Sequence, residues 1–245
     1  MKLCKMIKTK KEIRLLKKSA KIANSCIKVI EESLKEDKMT ERELARRIRK
    51  KLREQNAHEA FRTIVACGKR AAKIHAKPRT TKKIISGLGL VDFGACYKGY
   101  RTDVTVPFIK GKINKKEKKM VKIVLRAYNM SISSIRLNDP CWKLFEKIYN
   151  FMKKNGFELK HGLGHGIGLE IHEYPFIVIP KKEKLKRRRK RKWEIIKKIT
   201  FQPGVVFTIE PGVYVNGLGG CRLENDVLLT KNGPKVLTNS KLIKV

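Results

Sequence analysis

The chain has 245 residues, 41% of them hydrophobic, with 17 Gly and 8 Pro, which excludes collagen-like and low-complexity classes. A domain of this length buries roughly 70–75% of its unfolded surface and needs neither disulfide nor metal to complete its core. Against 22 acidic residues stand 60 Lys and Arg, giving a formal net charge of +38 and a strong attraction for polyanions.

Residues 10–36 place Ile13, Leu16, Ala20, Ala23, Ile27 and Ile30 three or four apart, the spacing of one helical face. Thr40 followed by Glu43 is a capping-box pattern and predicts a second helix with Leu44, Ile48 and Leu52 on one side. The apolar, β-branched stretch Phe61–Cys67 predicts a strand ended by Gly68. Strands follow at Leu90–Phe93 and Arg101–Phe108, joined by a turn that contains Gly94 and Gly99. Helices are predicted over 115–136 and 141–154. The second opens on Asp139 as cap with Pro140 at the first helical position, and Asn155-Gly156 ends it. Beyond 157 the pattern turns to strands at Val205–Glu210, Cys221–Thr230 and Lys235–Leu237. The expectation is a single α+β domain over 1–245, with helices in its first two-thirds and no internal repeat.

Of the 60 basic residues, 43 are lysines scattered along the chain, as suits solvated faces. Lys181–Lys192 stands apart, with ten basic residues in twelve, inside an insertion over 181–200. Such a run belongs on an exposed loop or helix end, where it could touch the phosphates of RNA or a ribosome. Trp193 is the lone aromatic beside it, so base stacking is not expected. No stretch of 18 apolar residues suits a membrane span, and the basic N-terminus lacks the apolar segment and cleavage site of a secretory signal. The six cysteines form no C-x-x-C pair and are expected as reduced thiols of the cytoplasm.

Five potential metal ligands sit at expected strand or turn positions: Asp92, Asp103, His165, Glu210 and Glu224. Asp92 and Asp103 flank a hairpin turn within the apolar stretches VDFGA and TDVTV, and Glu210 and Glu224 sit in FTIEPG and RLEND. A carboxylate inside a buried strand is unfavourable unless a cation or hydrogen bonds neutralise it. Four of them meeting would repel, and a pair of divalent cations is the natural remedy. Carboxylates with one histidine suit Mn²⁺, Co²⁺ or Zn²⁺. The glycines around His165 form neither a Walker loop nor a dinucleotide turn, and His172-Glu173 is followed by Tyr174-Pro175, not by a zincin motif.

The motifs FRTIVACG, VDFGACYKGYRTDVT, HGLGHGIGLEIHEYP, PGVVFTIEPGVY and GGCRLENDVLLT resemble, in order and spacing, the pita-bread metallopeptidases. That family comprises methionine aminopeptidases, Xaa-Pro aminopeptidases and prolidases. The resemblance implies a curved antiparallel sheet flanked by helices and two divalent metal ions, Mn²⁺ or Co²⁺ first and Zn²⁺ or Fe²⁺ next. It further implies hydrolysis of an N-terminal peptide bond by a metal-bridging hydroxide. By the same resemblance Asp92 chelates one ion, His165 and Glu210 hold the other, and Asp103 and Glu224 bridge both. Glu210 also takes a proton from the bridging water, His172 contacts the substrate and helps stabilise the tetrahedral intermediate, and His75 occupies the place of the family's second active-site histidine. His161 and Arg222, four and two residues before His165 and Glu224, match the side of proline-directed members where the prolyl residue sits.

Length points the other way, because the family motifs begin almost at Met1, as in methionine aminopeptidases, without the N-terminal domain usual in proline-directed enzymes. Ser86-Gly87-Leu88-Gly89 and TVPF also depart from the family's usual residues. Three readings follow: an Xaa-Pro exopeptidase acting on peptides, a methionine aminopeptidase, and a non-catalytic module binding RNA or ribosomes. Oligomeric state is left open.

Overall fold

The computed structural model describes residues 6–78, 85–179 and 187–245. Its helices are α1 (Lys10–Lys35), α2 (Glu41–Glu54), α3 (Lys115–Ser134), α4 (Cys141–Lys154) and α5 (Arg187–Lys198). The first strands are β1 (His58–Glu59), β2 (Ile64–Cys67), β3 (Gly87–Phe93), β4 (Ala95–Tyr97), β5 (Tyr100–Arg101) and β6 (Val104–Lys110). Then come β7 (Gly164–Gly166), β8 (Glu173–Ile177), β9 (Val206–Ile209), β10 (Gly212–Val215), β11 (Gly219–Arg222), β12 (Asn225–Thr230), β13 (Gly233–Val236) and β14 (Ile243–Lys244).

Local chemistry accounts for the helix ends. Thr9 and Glu12 form a reciprocal capping box at α1, and Asn114 and Glu117 do the same at α3. At α2 the Thr40 side chain accepts from the Glu43 N–H. The apolar faces read from the sequence are the buried ones, Leu16, Ile27 and Ile30 on α1 and Leu44, Ile48 and Leu52 on α2. Pro140, not Asp139, occupies the cap position of α4, where it has no side chain to offer. The Asp139 carbonyl instead accepts from the Phe201 N–H at 3.0 Å, so this residue ties the helix start to the C-terminal half.

Two sheets form the framework, in the orders β14-β6-β3-β2 and β13-β12-β9-β7-β8. Only the β14–β6 pair is parallel among the described strands. One apolar cluster packs α1 and α2 on the first sheet, with Phe93 and Phe108 buried between. A second packs α3 and α4 on the other sheet, around Ile148, Phe207 and Val227. The same order of elements thus occurs twice: a long helix, a 14-residue helix, a strand and an antiparallel hairpin (β2-β3-β6, then β7-β9-β12). No internal repeat is visible in the sequence because only the pattern of buried positions recurs. The two sheets touch at an isolated bridge between Thr105 and Glu224, where the Glu224 N–H donates to the Thr105 carbonyl at 3.1 Å.

Several strand boundaries differ from expectation. Cys221–Thr230 is not one strand; it breaks at Leu223-Glu224, leaving β11 paired with β10 and β12 paired with β9. Arg101–Phe108 likewise breaks at Thr102-Asp103, and the β4–β5 excursion fills the hairpin between β3 and β6. Both breaks fall at an acidic residue that leaves its ladder. Helix α5 lies in the last third, where strands alone were expected. The first part of the basic run, 181–186, lies outside the described residues, and its remainder opens α5.

Phe207 sits mid-strand in β9, opposite Val227 and Gly166, fully buried with its ring 5.3 Å from that of Phe201. Phe207→Ala should therefore destabilise the fold by about 3–5 kcal/mol. Urea unfolding should show a lower midpoint with an unchanged m-value; an unchanged midpoint would contradict this packing.

Candidate metal centre

Each of the two repeated hairpins delivers two carboxylates at the ends of its strands. Asp92 lies near the end of β3 opposite Thr105, and Asp103 directly precedes β6. Glu210 follows β9, and Glu224 directly precedes β12. His165 is the middle residue of β7. Its two glycine neighbours are there because the strands crowd: a side chain at Gly164 would meet the Thr208 carbonyl, and one at Gly166 the Tyr174 carbonyl. The backbone of His165 is then held by its N–H donating to Thr208 Oγ1 at 3.1 Å.

All nine positions singled out from the sequence (Asp92, Asp103, His165, Glu210, Glu224, His75, His161, His172 and Arg222) line one cavity of about 700 Å³. At its floor, ligand atoms of Asp103, His165 and Glu224 lie within 4.8 Å of one another. His165 Nε2 is 3.6 Å from Asp103 Oδ2 and 3.6 Å from Glu210 Oε1. His165 Nδ1 is 3.2 Å from the Gly166 carbonyl, which assigns the proton to that nitrogen and leaves the Nε2 lone pair facing the carboxylates. Burial, with the His172 ring 4.4 Å away in an edge contact, lowers the His165 pKa to about 3. A neutral imidazole lone pair therefore points at acidic oxygens.

Burial raises the pKa of each of the four carboxyls above its ordinary value. Burial, then the charges of Glu224, Asp92 and Glu210, raises Asp103 well above the usual carboxylate range. Burial and Glu224 do the same to Glu210. Glu224 is pushed up to about 7 by burial and Asp92, although Arg222 and the Thr105 hydroxyl pull it back. Asp92 is raised by burial, and its Oδ1 is a buried oxygen with no hydrogen-bond partner. An unpartnered Asp92 Oδ1 beside converging acidic oxygens is what a cation resolves, and this oxygen-rich set with one imidazole fits Mn²⁺, Co²⁺, Zn²⁺ or Fe²⁺.

Arg222 and His161, together with residues not singled out from the sequence, complete the arrangement. Arg222 is 4% exposed and donates to Asp92 Oδ2, to Thr105 Oγ1 at 2.8 Å and to the Tyr214 hydroxyl at 2.6 Å. The Thr105 hydroxyl in turn donates a hydrogen bond to Glu224 Oε2 at 2.7 Å. Tyr214 also lies 3.0 Å from His161 Nε2, while His161 Nδ1 is 2.7 Å from the Gly162 carbonyl. Burial and the Arg222 charge lower His161 to about 4, so this ring is neutral. Asp226 accepts from the Asp103 N–H at 3.3 Å, and its side chain is buried. Lys8 and Glu173 form a buried pair at 2.6 Å beside His172. Asp226 was legible as the residue two past Glu224 on the same strand face; Tyr214 and Lys8 had no local signal. Arg222, expected at the substrate side, lines the cavity and directs donors at Asp92, Thr105 and Tyr214.

The model of metallopeptidase family M24 matches residues 14–231. The chain belongs to this family. It is 33% identical over 241 residues to an Xaa-Pro dipeptidase of Pyrococcus horikoshii, covering 97% of this chain and 64% of that protein. The chain thus spans less than two-thirds of that relative's length. Among solved structures, the Xaa-Pro dipeptidase from Bacillus anthracis is similar with a TM-score of 0.85 and 31% identity, covering 99% of this chain and 65% of that one. The X-Pro aminopeptidase from Thermotoga maritima is similar with a TM-score of 0.83 and 30% identity, covering 99% and 65%. The pita-bread α+β fold expected from the motifs is therefore the fold of this M24 chain.

Carboxyls whose pKa is raised by folding stabilise the native state while protonated and lose that contribution as pH climbs through the folded value. For Glu224 the contribution is complete below 4.5 and lost through about 7. The lowered histidines act oppositely, but only below their ordinary value of 6.5. Above that, the carboxyls alone set the slope. The Tm of metal-free protein should fall between about pH 6.5 and 8, and Mn²⁺ should raise Tm more at the upper end. Thermal melts with and without chelator check this; a metal-free Tm that climbs across the window would contradict it.

Proposed function

We propose that this chain is a metal-dependent exopeptidase that hydrolyses an N-terminal Xaa-Pro peptide bond. The observation that carries this reading is the approach of Asp103, His165 and Glu224 donor atoms to within 4.8 Å, in a cavity that Asp92 and Glu210 also line. Two divalent cations held by these five residues, Mn²⁺ or Co²⁺ in the first instance, would lower the pKa of solvent and stabilise the oxygen of the tetrahedral intermediate.

The chain's own groups do the rest. Glu210, kept well above the usual carboxylate range by burial and Glu224, accepts the proton of the attacking water. His172, against the His165 ring, donates a hydrogen bond to the peptide oxygen as negative charge develops there. His75, exposed on the same lining, contacts the substrate. Neutral His161, its Nε2 3.0 Å from the buried Tyr214 hydroxyl, offers its ring on the lining to a prolyl residue. Arg222 acts through Asp92 and, by way of Thr105, through Glu224; it is a positioning residue.

The proline direction rests on His161 and Arg222 and on the names of the similar proteins, an Xaa-Pro dipeptidase and an X-Pro aminopeptidase. A non-catalytic RNA-binding module is the weaker reading, since all five candidate ligands are retained on one cavity. The basic run would then serve as an electrostatic attachment to RNA or ribosomes accessory to catalysis. A cytoplasmic setting with 1–245 as one catalytic domain accords with free thiols at Cys26, Cys67, Cys96, Cys141 and Cys221. Among the described residues no helix is long and apolar enough to cross a membrane.

Incubation with Mn²⁺ should cleave Gly-Pro-Ala and spare Met-Ala-Ser, with Glu224→Gln inactive but folded by circular dichroism. Cleavage of the methionyl peptide alone would replace this reading with methionine aminopeptidase. His172→Ala should lower kcat by about 10²–10³-fold while metal stoichiometry, measured by atomic emission, stays as in wild type. Undiminished kcat would remove His172 from the mechanism.

A further inference from the structure

Arg222 has its charge committed inside the protein, to Asp92 and its neighbours. Its hydrogen bonds hold it beside the candidate ligands Asp92 and Glu224. Two other cations belong to the lining of the same cavity: Arg62, just ahead of β2, and Lys160, directly before His161. Both are exposed, and among the described residues neither has a hydrogen-bond or ion-pair partner. Around them the lining is apolar, with Phe61, Ile64, Phe176 and Val178. A guanidinium and an ammonium left unpaired beside apolar walls attract a carboxylate and thin the water competing for it. Of the acidic residues lining this cavity, Asp92 is paired with Arg222, Asp103 and Glu224 converge with His165, and Glu210 Oε1 lies 3.6 Å from His165 Nε2.

We infer that Arg62 and Lys160 form the subsite for a substrate carboxylate on the C-terminal side of the scissile bond. The substrate class is then short prolyl peptides, dipeptides above all, with a free C-terminal carboxylate. This rests on the exopeptidase reading, and it names two residues that discriminate among its substrates. The two lie on separate segments flanking β2 and β7, so they would clasp the carboxylate from different parts of the lining.

The test uses Mn²⁺-loaded enzyme and a reduced-bond analogue of Ala-Pro that cannot be hydrolysed, its C-terminal amide, and an analogue of Ala-Pro-Asp-amide. Calorimetry on wild type should give the free acid at least about 10-fold tighter binding than the amide, as a charge-assisted contact supplies. Arg62→Gln/Lys160→Gln should erase that preference by weakening the acid, with the amide moving far less, and should raise KM for Ala-Pro. Equal affinity for acid and amide in wild type, or equal loss of both in the variant, overturns the inference. So does a preference confined to the aspartyl analogue, which would make an acidic side chain the ligand. Acid preference that depends on Arg62 and Lys160, but without turnover of any prolyl peptide, supports the subsite and sinks the exopeptidase reading instead.

Discussion

Mutual repulsion among buried acidic groups governs this molecule. Asp92, Asp103, Glu210 and Glu224 are brought into one cavity with a neutral imidazole whose lone pair also points inward. Burial raises the pKa of these carboxyls, which favours their neutral forms, and the buried Arg222 guanidinium sets a positive charge beside Asp92. Neither device satisfies Asp92 Oδ1. The fold holds these groups together through apolar burial elsewhere, so the acidic site is a local destabilisation supported by two separate cores.

The architecture explains how such a site can be assembled. Two copies of one helix–helix–hairpin unit each place a pair of carboxylates where a strand stops or starts, and the sheets meet at the Thr105–Glu224 bridge. Strand ends are suitable because a residue leaving its ladder can aim a side chain sideways into a cavity while its neighbours stay packed. The bridge brings Thr105 within reach of both Arg222 and Glu224, linking the two hairpins through one hydroxyl. Close backbone approach at Gly164 and Gly166 brings the histidine strand into the same space.

Charge is also partitioned between inside and outside. Several of the 22 acidic residues, among them Asp92, Asp103, Glu173, Glu224 and Asp226, are withdrawn from the surface. What is left outside is correspondingly more basic than the composition suggests. An anionic ligand is therefore drawn toward the protein in general, and the cavity lining with Arg62 and Lys160 continues that field inward.

The sequence by itself determined helices α1 to α4, whose apolar periodicity is local, and singled out the five candidate ligands, four of them carboxylates anomalous enough inside apolar stretches to read. It also carried the family motifs. Only the tertiary structure decided that Cys221–Thr230 breaks at Glu224, that Arg222 turns toward Asp92 and that Tyr214 joins the network. Short glycine-rich strands such as β7 were equally hidden, since their reason is the approach of Thr208 and Tyr174 from other strands. A periodic pattern reports what a segment does alone, whereas hydrogen-bond partners and strand breaks depend on groups more than a hundred residues away in the chain, as Arg222 and Asp92 are.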